Sequence, residues 1–352
     1  MRTAITRLLG CEHGIVQAPM AGGGDTPRLV AAASNAGAFG FIGAAYLPPE
    51  RIADAAREVR ALTSRPFGIN LFAPTALTQA FDLEAARARL APYYAEFGLP
   101  VPEYVAAPDR FVAQLDAALD SDAHAISFTF GIPPAAALQA IKARGRVLIG
   151  TATTVAEAQA LRDAAFDAIV AQGSEAGGHR GSFLGEFEHA MIGTIALVPQ
   201  IVDATRLPVL ASGGIMDGRG IAAALALGAG AVQMGTAFLT CAESGIVEEY
   251  KNRIMRTAED GTRITRAFSG RPARGIDNRF LREMAAAQTP PFPIQNALTR
   301  PLRDAALKQG RTDLLNLWCG QAPRLARSQT AAELVARLVE ETRAAVAGLG
   351  RN

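Results

Sequence analysis

Short apolar runs alternate with helix-like segments along most of this sequence, and no other feature restricts the fold so tightly. Runs of four or five residues that stay apolar throughout read as strands buried on both faces, the kind found in parallel sheets whose strands are joined by helices. Eight such runs can be counted, at 14–18, 39–43, 67–71, 125–129, 146–150, 168–171, 208–211 and 231–234. Helix-like segments at 27–36, 49–62, 155–164 and 218–227 fall between them. Pro49 stands where a first-turn proline is tolerated, and Thr153-Thr154 can cap the segment at 155–164. Eight strands with intervening helices predict an α/β chain folded as a (β/α)8 TIM barrel. Counting does not prove closure, so an open doubly wound sheet is the alternative.

Two stretches exceed an ordinary strand–helix connection. Residues 72–123 hold helical segments at 83–96 and 110–119 around the proline-rich LPVPEYVAAP, which predicts a lid or flank. Beyond residue 243, a charged helix at 247–255 and the loop QTPPFPIQNALTRP come before the amphipathic helix at 331–347. The expected organisation is a barrel built from 1–243 and 318–352, with a mostly helical inserted substrate-side domain at 244–317 and the C-terminal helix returning to close the barrel.

Composition excludes several classes of partner. At 352 residues, 49% hydrophobic and 19% charged, the chain can bury a large core. Its formal charge is only +2, and no basic cluster is interleaved with aromatics, so nucleic acid is not an expected partner. Cys11, Cys241 and Cys319 are far apart and odd in number, which suits free thiols in a cytoplasmic protein. Neither they nor His13, His124, His179 and His189 have metal-ligand spacing, so no metal is expected. The N-terminus is too short in apolar residues for a signal peptide. With no apolar run of about 18 residues either, no membrane association is expected.

The chemistry concentrates where barrels of this kind keep it, in loops after the strands. Residues 172–181, QGSEAGGHRG, leave the sixth run with four glycines and a cluster of polar side chains. Within it His179 is the candidate for acid–base work, because imidazole titrates near neutrality and this one sits in a polar loop over the barrel mouth. His124 and His189 read as structural, and His13 lies at the wrong end of the barrel. The glycines of Ser212-Gly213-Gly214-Ile215 and Gln233-Met234-Gly235-Thr236 follow consecutive strands, a placement suited to holding a phosphate on backbone N–H groups. Neither segment is a Walker or Rossmann fingerprint. Pro19, Met20, Ala21 and Gly22 after the first run could equally make a plain turn or the apolar bed of a flavin ring. Asn70, at the end of the third run, could serve that ring's polar edge or make an Asx turn.

Taken together, QAPMAGG, PFGINLF, QGSEAGGHRG and SGGIMDGRGIAAALALGAGAVQMGTAFL resemble the class I nitronate monooxygenases, as do the later FSGRPARGIDNRF and PIQNALTRPLRDAA. The resemblance runs in order over nearly the whole chain. It implies FMN as cofactor, with contacts at Met20, Ala21, Gly22, Asn70, Gln172, Gly177, Gly213, Gly214, Gln233, Met234, Gly235 and Thr236, and His179 as the catalytic residue. It implies oxidation of an alkyl nitronate, propionate 3-nitronate for instance, by O2 to a carbonyl compound and nitrite. His179 would take a carbon-bound proton from a neutral nitroalkane, or orient and stabilise a nitronate already deprotonated. The competing expectation is an NAD(P)H-dependent FMN quinone or enoyl reductase. A homodimer is left open, and Glu175 and Arg180 receive no role.

Overall fold

The computed structural model of the protein describes residues 2–75, 80–106 and 108–349. Parts of the expected 72–123 connection (76–79 and 107), including one residue of LPVPEYVAAP, lie outside the described residues, as does the end of the expected 318–352 segment (350–352).

Eight strands close into a parallel barrel: β1 (Ile15–Gln17), β2 (Phe39–Gly43), β3 (Phe67–Phe72), β4 (Ala125–Thr129), β5 (Val147–Ala152), β6 (Ala168–Gln172), β8 (Val209–Ser212) and β9 (Ala231–Met234), where β7 is the short strand Gly178–His179 outside the barrel. Pairing of β1 with β9, at Ile15↔Val232 through Gln17↔Met234, closes the ring and excludes the open sheet. All eight expected runs are strands, and the chain is a (β/α)8 barrel.

Side-chain alternation explains why the runs are apolar on both faces. Val16, Phe39, Phe41, Ile149, Val170 and Leu210 point inward and form a core of their own, plugged from below by Ile5 and Leu9 of the helix Ala4–Leu9. Ile15, Ile42, Leu148, Ile169 and Val209 point outward against the surrounding helices. Phe41 is accommodated inside because β3 has glycine at 68, where any Cβ would run into its ring. His124 donates through Nε2–H to Leu8 O at 2.9 Å, at the bottom of the barrel.

The helix Ala331–Leu349 returns to the barrel and packs against the helices Gly218–Ala226 and Pro27–Asn35. It thereby fills the place of the eighth barrel helix. A second apolar core stands beside the mouth, built by Leu90, Tyr93 and Tyr94 of the helix Leu83–Ala95 together with Ile254, Phe268, Phe280, Leu298 and Leu302. The segment 244–317 contributes helices and also two strands that the sequence did not announce. The strands β10 (Thr262–Thr265) and β11 (Ala273–Ile276) form an antiparallel hairpin, and β11 pairs with β7 at Ala273↔His179. His179 is therefore held in a three-stranded sheet and is not on a free loop.

Candidate active site

The C-terminal ends of the barrel strands open into a cavity of about 380 Å³. Every residue expected to hold the cofactor or do the chemistry lines it: Met20, Ala21 and Gly22 after β1, Asn70 in β3, Gln172, Gly177 and His179 from β6 to β7, Gly213 and Gly214 after β8, and Gln233, Met234, Gly235 and Thr236 at the end of β9, whereas Glu175 and Arg180 do not.

The turns after β8 and β9 present unused donors. Gly213 and Gly214 take φ of 119° and 71°, a backbone that non-glycine residues rarely adopt. The N–H groups of Gly213, Gly214, Gly235 and Thr236 make no hydrogen bond to another described residue. Backbone donors lining a cavity normally find an acceptor, so a bound anion is the natural partner for this set. The glycines are not equivalent. A Cβ on Gly235 would meet only Ala18 Cβ and Met20 Sδ, each at 3.8 Å, so the protein itself leaves it room. On Gly177 it would fall 2.6 Å from both Cys319 C and Gly320 N, so there glycine answers to the protein's own packing.

Asp25 holds the loop after β1 in place. Its Oδ2 accepts the Met20 and Gly43 N–H groups, both at 2.6 Å, tying the loop to the end of β2. Burial pushes its carboxyl up to about 6 although backbone donors oppose the shift. Asn70 donates through Nδ2 to Ser127 Oγ (2.9 Å) and Thr129 Oγ1 (3.3 Å), while its Oδ1 takes no hydrogen bond from another described residue. That leaves one carbonyl acceptor fixed at the cavity wall.

His179 is half-buried beside Phe72, Phe130, Phe292 and Trp318, with ring centroids 5.5–6.5 Å away. Its Nε2 lies 2.8 Å from Ser269 Oγ, whose own proton goes to Arg271 O at 3.1 Å. The network assigns Nε2 as the N–H donor and leaves the lone pair on Nδ1. Burial first, then the guanidiniums of Arg271 and Arg303, push this imidazole down to about 3. The expectation of titration near neutrality therefore fails: at ordinary pH the ring is neutral and able to accept a proton, though only as a weak base in the free protein.

The remaining polar groups of the 172–181 segment hold it in shape. Gln172 accepts the Gly181 N–H at 2.8 Å and donates to His179 O at 3.0 Å, so its side chain braces the loop. Arg180, 1% exposed, donates to the carbonyls of Gly173, Gln172 and Ala190. Both oxygens of Glu175 accept the Thr194 N–H at 2.9 Å, where the helix Thr194–Thr205 begins. Glu157, fully buried, accepts from Thr153 N at 2.6 Å and Leu184 N at 3.0 Å, fixing the chain beyond His179.

Sequence reasoning missed Tyr46, Phe72, Ser269, Phe292, Arg303 and Trp318. Trp318 is the chain's only tryptophan, and Phe292 and Arg303 lie in or beside a loop conspicuous for its prolines, so these three carried a signal. Nothing in the linear order, however, sets them opposite β3 and β7.

The model of the nitronate monooxygenase family matches residues 2–341. A probable nitronate monooxygenase of Staphylococcus aureus (strain Newman) is 45% identical over 345 residues, 97% of each chain. Among solved structures, nitroalkane oxidase from Streptomyces ansochromogenes superposes with a TM-score of 0.93 at 40% identity, covering 99% of this chain and 100% of the other. FabK from Thermotoga maritima gives 0.77 at 29% identity, covering 99% and 98%. The chain belongs to the nitronate monooxygenase family.

Proposed function

We propose that this oxidoreductase is an FMN-dependent nitronate monooxygenase, converting alkyl nitronates, propionate 3-nitronate among them, with O2 into a carbonyl compound and nitrite. The observation that carries the reading is the joint presence, in one cavity, of an unsatisfied amide cradle and a neutral histidine held by a serine. The amides of Gly213, Gly214, Gly235 and Thr236 would take the cofactor's phosphate. Met20, Ala21 and Gly22, with the Asn70 carbonyl and the Gln233 amide, would receive its ring. Gln172 and Gly177 support that site chiefly by shaping the loop. Bound FMN supplies the two-electron acceptor and the centre that meets O2.

The chain's own residues have a limited task. Neutral His179 can take a carbon-bound proton from a nitroalkane through Nδ1; toward a nitronate, which has lost that proton, its part is orientation. Arg271 and Arg303 favour negative charge in the same space, and the surrounding aromatic rings exclude water.

Anaerobic mixing separates this reading from an NAD(P)H-dependent FMN quinone or enoyl reductase. The purified protein should be yellow, and propionate 3-nitronate should bleach its flavin within the turnover time. Rapid bleaching by NADH, with the nitronate inert, would overturn the proposal.

A further inference from the structure

Glu175 does not line the cavity, yet it reaches both turns that present the free amides. On one side its carboxylate accepts the Thr194 N–H through both oxygens at 2.9 Å, and the Thr194 hydroxyl lies 3.0 Å from Glu175 Oε2 and from the Gly213 carbonyl. That hydroxyl bridges the carboxylate to the turn after β8. The same turn rests on these two side chains. A Cβ on Gly214 would stand 3.3 Å from Glu175 Cβ, and one on Gly213 would stand 2.9 Å from Thr194 Oγ1. On the other side the Glu175 carbonyl accepts the Gln321 N–H at 3.0 Å, and the neighbouring Gly320 donates its N–H to Thr236 Oγ1, also at 3.0 Å. A Cβ on Gly320 would fall 3.0 Å from that carbonyl oxygen, so the junction is closely packed.

By charge alone, a carboxylate beside an anion-binding turn works against the anion, so its place there needs a reason other than attraction. Its charge is met from elsewhere. Arg180 and Arg274 stand near it, and it caps the start of the helix Thr194–Thr205, where a negative group is favoured. Pairing of β8 with β9 runs only as far as Ser212↔Gln233, so beyond that point the two turns depend on other contacts for their relative placement. Amide donors bind a phosphate well only when they converge on one position. We propose that Glu175 is the positioning residue that sets the two amide turns in register, through Thr194 for Gly213 and Gly214 and through Gly320 and Gln321 for Thr236. Both turns then grip one phosphate, and the protein selects FMN over riboflavin, which has none. The inference rests on the flavin reading above.

The test titrates the full chain, stripped of flavin, with FMN and with riboflavin, and follows the flavin fluorescence. The parent should bind FMN at least about 100-fold more tightly than riboflavin. Glu175→Ala should raise the Kd for FMN about 10- to 100-fold, and Thr194→Val about 3- to 10-fold, with the Kd for riboflavin within about twofold of the parent in each. Glu175→Gln keeps the shape and an acceptor for Thr194, so its Kd for FMN should stay within about threefold of the parent. Equal losses on both flavins, as a general loosening of the fold would give, would overturn the assignment, and so would an FMN Kd unchanged in both Glu175→Ala and Thr194→Val. If Glu175→Ala does not fold, Thr194→Val and Glu175→Gln decide by the same contrast. A parent that binds riboflavin as tightly as FMN would instead remove the phosphate cradle and this role with it. Turnover enters none of these measurements, so a protein inert toward nitronates would leave the assignment standing.

Discussion

At the scale of single residues, the environment of His179 decides what it can do. Ser269 and β11 fix the ring, and burial keeps it neutral, so proton removal from a neutral nitroalkane depends on Nδ1. His179→Asn should retain FMN and lose at least about 100-fold in turnover on neutral nitroalkanes, with a smaller loss on nitronates. Stopped-flow flavin reduction with both substrate forms measures the contrast, and equal rates for parent and variant on the nitroalkane would remove the role. Acid stability offers an independent reading. Folded His179 titrates near 3 and an unfolded histidine near 6.5, so the folded chain binds fewer protons between those values. The resulting stabilisation is complete above pH 6.5 and is lost as pH falls toward 3. Thermal melts from pH 7 to pH 4 should therefore descend more steeply for the parent than for His179→Asn. The sequence displayed the histidine and its glycines, but not the depressed basicity, which arises first from burial in the folded chain and then from Arg271 and Arg303, more than 90 positions downstream.

At the scale of elements, the same glycine chemistry serves two ends, and substitution can tell them apart. The space beside Gly235 is open to a Cβ as far as the protein is concerned, so Gly235→Val should fold with the melting temperature of the flavin-free parent and lose the flavin. Gly177→Ala collides with the backbone at Cys319 and Gly320 and should lower stability by roughly 1–3 kcal/mol whether or not flavin is bound. Flavin absorbance after desalting and the melting temperature give both outcomes. A Gly235→Val protein with stoichiometric FMN would mean that the phosphate lies elsewhere. Barrel strands were legible because each is a continuous apolar run bounded by turn residues, and the loops were legible because glycine and charge crowd together there. The hairpin β10–β11 was not. Its segments TRIT and ARGI are short, half polar, and stabilised by pairing with each other and with β7, contacts that periodicity does not reveal. For the same reason Glu175, Arg180 and Gln172 could be recognised as unusual but not as braces.

At the scale of the whole molecule, the cavity exists because two separately packed cores meet at the barrel mouth. The barrel supplies Met20, Asn70 and the amide cradle, while Ser269, Phe292, Arg303 and Trp318 come from the chain beyond it. The later segment can face the barrel only if the chain then returns to complete the outer ring, which the helix Ala331–Leu349 does against Gly218–Ala226. Contact between these helices is close enough that a Cβ on Gly218 would strike the backbone at Glu341 and Thr342, and the Gly218 N–H donates to Glu341 Oε2 at 3.0 Å. Gly218→Val should push the closing helix outward and cost roughly 1–3 kcal/mol of stability. Because that helix packs beside the turn after β8, flavin should be released in the same thermal transition in which the barrel unfolds, and at lower temperature than in the parent. Parallel melts followed by flavin fluorescence and far-ultraviolet circular dichroism would measure both events. A Gly218→Val protein that melts with the parent would show that closure of the ring does not depend on this contact.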